Sequence, residues 1–336
     1  MPLRTRSLVR PAVTACIAAA LVLSTGAAAG GPPPDPPDPV GHAEGADLLD
    51  GFHADPTIVY FNGLYHIYPT TDSNPARNGS FVVWTSPDLV NWTDRGEVLR
   101  LGPDVSWADR NAWAPDVVER NGRYYLYFTA EEKIGVAVAD HPGGPFTDLG
   151  RPLIAENPGG VGVPIDPAVF VDDDGTPYLY WGNGQAHVVP LNPDMTSFDP
   201  ARITVIGGLE GFGEGMDVAK RDGTYHLTWS IGDFRSPDYR VAYATAPSPS
   251  GPFTNRGLLL SRDDELGIRG TGHGSVLRIP TTDDWYYAYH RHAVDGGDGY
   301  HREVTIDPLP ITPDGLFGRI TPTLEGPAPR PVPSRP

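Results

Sequence analysis

Apolar and polar positions along the chain fall into a pattern that repeats five times. Each repeat opens with a six-residue segment that aligns with the others without gaps, at residues 54–59, 113–118, 165–170, 214–219 and 272–277. Their starts are separated by 59, 52, 49 and 58 residues. A polar turn follows, containing Asn62-Gly63, Asn121-Gly122, Asp174-Gly175 or Asp222-Gly223, and in the fifth repeat Thr282-Asp283-Asp284. Asn-Gly and Asp-Gly supply the positive φ that tight hairpins need. Beyond each turn lies a strand dense in aromatic residues, at 64–68, 124–128, 178–181, 225–229 and 285–289. A third strand comes next, at 81–85, 135–139, 186–190, 240–244 and 301–306. Three repeats then close on an aromatic-Thr-polar-x-Gly phrase, at 92–96, 146–150 and 253–257. Units of about 50–60 residues with three or four antiparallel strands are the blades of radial architectures. The predicted fold is all-β, a five-bladed β-propeller.

Composition agrees with this pattern. Gly (40) and Pro (38) together make 78 of 336 residues, charged residues are 20% and aromatics 10%. Many turn residues, few charges and many aromatics suit short strands and exclude helical bundles and coiled coils. The formal charge of −17 argues against nucleic acid as a partner. Arg4, Arg6 and Arg10 precede an apolar run at 12–23, and Ala27, Ala28 and Ala29 follow it. A basic start, a short apolar core and small residues describe a secretory signal peptide, and the run is too short to span a bilayer. Residues 1–29 are therefore expected to be a signal peptide, 30–45 a Pro/Gly-rich linker, 46–326 the propeller and 327–336 a Pro-rich tail. Secretion to the extracellular space is the expected localisation. Cys16 is the only cysteine and would leave with the signal, so the mature chain would hold no thiol nucleophile, disulfide or Cys-ligated metal.

The repeat sorts the acidic residues by position. The fourth column of the six-residue segments holds Thr57, Asp116, Ala168, Asp217 and Ser275. Small polar residues recurring there suit a structural bond to a neighbouring blade. The second column holds Asp55, Ala114, Asp166, Gly215 and His273, and the first column adds Glu214, with Trp113 in its place in the second repeat. First strands line the axis of a propeller, so three carboxylates and one His would meet at one mouth of the channel. Paired carboxyl groups are the equipment of glycoside hydrolysis, one donating a proton to the leaving oxygen and one activating water. A third carboxylate raises the pKa of the acid by repulsion. Asp172-Asp173-Asp174-Gly175 lacks the alternating spacing of a calcium loop and reads as a hairpin turn. His53, His273, His290, His292 and His301 lack a zinc-protease spacing. His290-Arg291-His292 ends an aromatic strand and could face core or pocket.

These motifs resemble glycoside hydrolase family 43, five-bladed enzymes that cleave arabinofuranosides, xylosides and related sugars with inversion. The resemblance rests on His53-Ala54-Asp55-Pro56, Trp113-Ala114-Pro115-Asp116, Ile165-Asp166-Pro167, Glu214-Gly215, Thr271-Gly272-His273-Gly274-Ser275 and His301-Arg302-Glu303, in the family order. It implies Asp55 as general base, Glu214 as general acid and Asp166 as the residue tuning and orienting the acid. It implies that Arg302 lies beside acid and sugar, that Trp113 and His273 contact substrate, and that His273 lies over a Ca²⁺ or a water cluster. No cofactor is required by this chemistry, and a structural Ca²⁺, held indirectly through His273, is left open. Met216 departs from the family, where many members have Pro, which puts substrate choice in doubt. The expected partner is a glycan bearing arabinofuranosyl or galactofuranosyl groups, bound by a monomer. An exo-acting α-L-arabinofuranosidase leads, followed by a β-D-galactofuranosidase, then a β-xylosidase or endo-arabinanase. A non-catalytic sugar-binding propeller and a propeller presenting loops to a protein are the readings from other classes.

Overall fold

The computed structural model describes residues 48–71 and 77–331. The expected signal peptide and linker, and residues 332–336 of the expected tail, lie outside them. Five antiparallel sheets follow one another along the chain. Blade 1 is β1 (Ala54–Phe61), β2 (Leu64–Thr70), β3 (Ser80–Ser86) and β4 (Thr93–Arg100). Blade 2 is β5 (Trp113–Arg120), β6 (Arg123–Ala130), β7 (Lys133–Ala139) and β8 (Thr147–Asp148). Blade 3 is β9 (Ala168–Val171), β10 (Pro177–Trp181), β11 (His187–Pro190) and β12 (Thr204–Val205). Blade 4 is β13 (Phe212–Arg221), β14 (Thr224–Ile231), β15 (Arg240–Ala246) and β16 (Thr254–Leu260). Blade 5 has three strands, β17 (Gly272–Arg278), β18 (Trp285–His292) and β19 (Arg302–Pro308). The innermost strands touch in a closed circle, β1 on β5, β5 on β9, β9 on β13, β13 on β17 and β17 on β1. The fold is the expected five-bladed propeller.

The hairpin signals act as their chemistry dictates. Asn62 and Gly63, Asn121 and Gly122, and Asp222 and Gly223 all take positive φ. The Asp174-Gly175 hairpin is built differently. Gly175 alone of that pair is left-handed, and Asp172 opens a turn closed by its N–H to Thr176 O at 2.9 Å. Its carboxylate is taken by Lys220 Nζ (2.5 Å) and the Tyr225 hydroxyl (2.5 Å) of blade 4, so the acidic run is a turn clasping the next blade.

The aromatic second strands do not alternate because both of their faces are buried. Tyr124, Leu126 and Phe128 enter the core between blades 1 and 2, while Tyr125 and Tyr127 enter the one between blades 2 and 3. Trp285, Tyr287 and Tyr289 face blade 4, while Tyr286 and Ala288 face blade 1. One hydrophobic cluster fills each interblade space, five in all, including the one that closes the ring between blades 5 and 1. Each fully buried large side chain contributes about 1.5–3 kcal/mol.

Closure has a second component at the chain ends. Leu49 enters the blade 5–blade 1 core, and His53 N–H donates to Arg302 O at 2.9 Å. The Pro-rich stretch from 327, expected as an extended tail, is docked where it begins. Arg330 N–H donates to Asp88 O of blade 1 (2.8 Å), and its guanidinium donates to the Tyr286 hydroxyl of blade 5 (2.8 Å). No helix among the described residues is long and apolar enough to cross a membrane.

Candidate active site

The second column of the repeat is a ring of left-handed residues. Asp55 (φ 47°), Ala114 (41°), Asp166 (59°), Gly215 (62°) and His273 (37°) share this conformation, four of them without being glycine. The pairing register slips at this point in β1, β5, β13 and β17, which marks a bulge. Bulges re-aim side chains, and left-handed non-glycine residues cost about 1–3 kcal/mol each, so neighbouring structure must hold them. Pro56, Pro115 and Pro167 follow three of these positions. Proline has no N–H for a ladder to lose, which suits it to a bulge. Blade 4 has Met216 instead and still turns at Gly215. Met216 is buried in the core between blades 3 and 4.

In four blades the N–H of the left-handed residue is captured by a side chain at or near the end of the second strand of the preceding blade. Ala114 N–H donates to Thr70 Oγ1 (2.7 Å), Asp166 N–H to Thr129 Oγ1 (3.0 Å), and His273 N–H to Ser230 Oγ (2.9 Å). Asp55 N–H donates to His290 Nδ1 (3.2 Å). Blade 3 has Gly182 in this position, and Gly215 N–H turns to Asp166 Oδ2 at 3.2 Å. Gly215 also admits its neighbour: a Cβ there would stand 2.7 Å from His273 Cγ.

The ring brings Asp55, Asp166, Glu214, His273 and Arg302 into one cluster. Arg302 Nη1 donates to Asp55 Oδ1 (3.1 Å), with His290 Nδ1 at 3.0 Å and His273 Nδ1 at 3.3 Å from the same oxygen. His273 Nδ1 is also 3.7 Å from Asp166 Oδ2. Glu214 stands half-buried one residue before the bulge. Its Oε1 accepts from the Tyr239 hydroxyl and its Oε2 from Asn183 Nδ2, both at 2.8 Å. Trp113 occupies the Glu214 column in blade 2, half-buried, outside this hydrogen-bonded cluster.

Burial and charge set the protonation states. Burial works to raise the Asp55 pKa, but Arg302 and then His273 outweigh it and hold the carboxyl well below the usual range. Asp166 is pushed up to about 7 by burial and by Glu214 and Asp55, against the pull of His273. Burial disfavours a charged His273, yet Asp166 and Asp55 raise it to about 9. His290 is driven down to about 3 by burial and the Arg302 charge, so it is neutral. The cluster thus holds one firmly ionised carboxylate, a second acid that resists ionisation, and a third on two neutral donors. Such a set can move a proton to one oxygen while taking another from water.

His273 as a direct Ca²⁺ ligand does not fit these donors. A protonated imidazole offers no lone pair, and Ca²⁺ takes six to eight oxygens. No three His, Cys, Asp or Glu side chains among the described residues are grouped to hold a metal.

Sequence reasoning missed Tyr239, Asn183 and the role of His290. The first two lie on loops outside the aligned segments. His290 belongs to a repeated column (Thr70, Thr129, Gly182, Ser230, His290) that alignment of the second-strand ends would have exposed.

Comparison with known proteins identifies the family. The family model for glycosyl hydrolases family 43 matches residues 47–317. The β-D-galactofuranosidase XynD of Aspergillus niger is 35% identical over 299 residues, covering 84% of this chain and 86% of that protein. An arabinoxylan arabinofuranohydrolase of Bacillus subtilis is 33% identical, covering 81% of this chain and 63% of its own length. Among solved structures, a GH43_1 enzyme from Xanthomonas citri complexed with xylose superposes with a TM-score of 0.69 at 31% identity, covering 82% of this chain and 92% of that one. By its family model and its relatives, the chain belongs to glycoside hydrolase family 43 and is a glycosidase.

Proposed function

We propose that the protein is a secreted, inverting, exo-acting furanosidase that removes terminal α-L-arabinofuranosyl groups from plant-type glycans. In this reading Asp55 is the general base, Glu214 the general acid, and Asp166 the group that tunes and orients the acid. The observation that carries it is the pairing of an ionised carboxylate, fixed by Arg302, with a carboxyl on two neutral donors across the same channel mouth. Among the described residues, the three side-chain contacts of the Asp55 carboxylate converge on Oδ1, which leaves Oδ2 to accept a proton from water. Arabinose-releasing names recur among the relatives, including an arabinoxylan arabinofuranohydrolase of Paenibacillus polymyxa at 32% identity. The 35% identity to XynD favours a second reading, β-D-galactofuranose as the glycone. Export rests on Arg4, Arg6, Arg10 and the apolar run after them.

The test is hydrolysis of aryl α-L-arabinofuranoside, β-D-galactofuranoside and β-D-xylopyranoside by wild type and Asp55→Asn, with the product anomer followed by proton NMR. Cleavage of the arabinofuranoside with inversion, lost in the variant, is the expected result. Preference for galactofuranoside would install the second reading. Retention of configuration would overturn the roles assigned to Asp55 and Glu214.

A further inference from the structure

We infer that His290 is a positioning residue for Asp55, and that its stack on Tyr239 ties base and acid into one rigid unit. The inference rests on the roles proposed above for Asp55 and Glu214. In three other blades the residue in the His290 column is a hydroxyl that accepts a backbone N–H. Imidazole is longer, and its Nδ1 lies 3.2 Å from Asp55 N and 3.0 Å from Asp55 Oδ1, so it reaches the side chain as well.

A neutral imidazole carries one proton, and where it sits decides the interaction. With the proton on Nε2, Nδ1 accepts from Asp55 N–H, and the Nε2–H is buried with no partner among the described residues. A buried donor without an acceptor costs about 1–3 kcal/mol. With the proton on Nδ1 it donates to Asp55 Oδ1, and the Asp55 N–H loses its acceptor. Each tautomer strands one buried donor, and each keeps one bond from His290 to Asp55. His290 therefore holds Asp55 in either state, at its backbone N–H or at the oxygen that Arg302 and His273 also meet.

The same ring is held from its face. Tyr239 and His290 stack with centroids 5.6 Å apart and planes 8° from parallel. Tyr239 is fully buried and donates to Glu214 Oε1 at 2.8 Å. Gly272 passes against it so closely that a Cβ would stand 2.1 Å from Tyr239 Cε1. One path of side chains, Asp55–His290–Tyr239–Glu214, therefore spans the two carboxyls whose separation an inverting reaction must keep. A displacement of about 1 Å in such a site can cost ~10²-fold in rate.

The experiment is steady-state kinetics of the full chain carrying His290→Leu, His290→Asn, Tyr239→Phe and the His290→Leu/Tyr239→Phe pair. Substrates are the cleaved glycoside with a good aryl and a poor alkyl leaving group. His290→Leu should lower kcat by ~10²-fold on both substrates with KM within about threefold, and His290→Asn, which keeps a donor, should recover about tenfold. Tyr239→Phe should cost more on the poor leaving group. The double variant should lose less than the product of the single losses by at least about twofold. A folded His290→Leu with kcat within about threefold of wild type, or an Asn variant no better than Leu, would overturn the inference. If wild type cleaves no glycoside, the functional reading fails by itself. The His290 ring then decides: ring-nitrogen resonances that shift in Asp55→Ala uphold the contact, and resonances unmoved by that substitution refute it.

Discussion

Two rings of polar residues lie two positions apart on the same five strands, and their aspartates have opposite fates. In the fourth column, Asp116 accepts from Thr57 Oγ1 and from Val169 N–H, both at 2.6 Å, joining blades 1, 2 and 3. Asp217 accepts from Val276 N–H (2.8 Å) and Ser275 Oγ from Ile58 N–H (2.8 Å), joining blade 4 to 5 and 5 to 1. Only the step from blade 3 to blade 4 lacks this clasp, because Ala168 has nothing to offer. In the second column, Asp55 and Asp166 instead meet guanidinium and imidazole. The comparison teaches that residue type does not assign the role of an acid here. Neutral backbone donors from the next blade make a fastener, whereas mobile protons and an uncommitted oxygen make a reagent.

The largest effects should fall on the second-column side. Asp55→Asn and Glu214→Gln should each lower kcat/KM by ~10²–10⁴-fold, with Glu214→Gln milder on activated aryl substrates that need little protonation. Circular dichroism should show both variants folded. Next in size, Asp116→Ala strands the Val169 N–H and should lower unfolding stability by about 1–3 kcal/mol in urea titration. The activity of its folded fraction should stay within about threefold of wild type.

A smaller effect in the fourth column is read by pH. Asp217 lines a channel cavity of about 330 Å³ with Thr57, Asp116 and Ser275, and burial pushes it up to about 7. A carboxyl raised in the fold resists ionising, while the unfolded chain ionises near pH 4. Stability from this group is therefore complete below that pH and is lost as pH rises toward 7. Asp217→Asn removes the slope and should gain about 1–2 kcal/mol over wild type at pH 8 relative to pH 4, an amount held down by the open channel. The smallest expected effect is that of chelation. EDTA should leave turnover within about twofold, since no proposed step needs a metal. A larger loss would place a cation in the working enzyme.

Much of this contrast could be read in the sequence. Six-residue segments aligned without gaps, and Asn-Gly or Asp-Gly pairs after them, specify strand, turn and blade number. Stacking those segments separated Asp55 and Asp166 from Asp116 and Asp217, because strands of one fold place equal positions at equal depth. The left-handed ring was harder to see. Asp-Pro suggests a turn entry but does not reveal a bulge inside a strand. The captors of the freed N–H groups escaped because Thr, Thr, Gly, Ser and His share a location without sharing a type. Tyr239 and Asn183 escaped because loops carry no register to align. The docking of Arg330 escaped because a Pro-rich stretch has no period of its own.

The most direct test compares two aspartates three repeats apart along the chain, equal in type and opposite in fate. Initial rates on aryl α-L-arabinofuranoside, measured side by side for wild type, Asp55→Asn and Asp217→Asn, provide it. We expect Asp217→Asn to retain at least about a third of wild-type turnover while Asp55→Asn falls by ~10²-fold or more. Comparable losses in both variants, each folded, would contradict the division of the two rings into reagent and fastener.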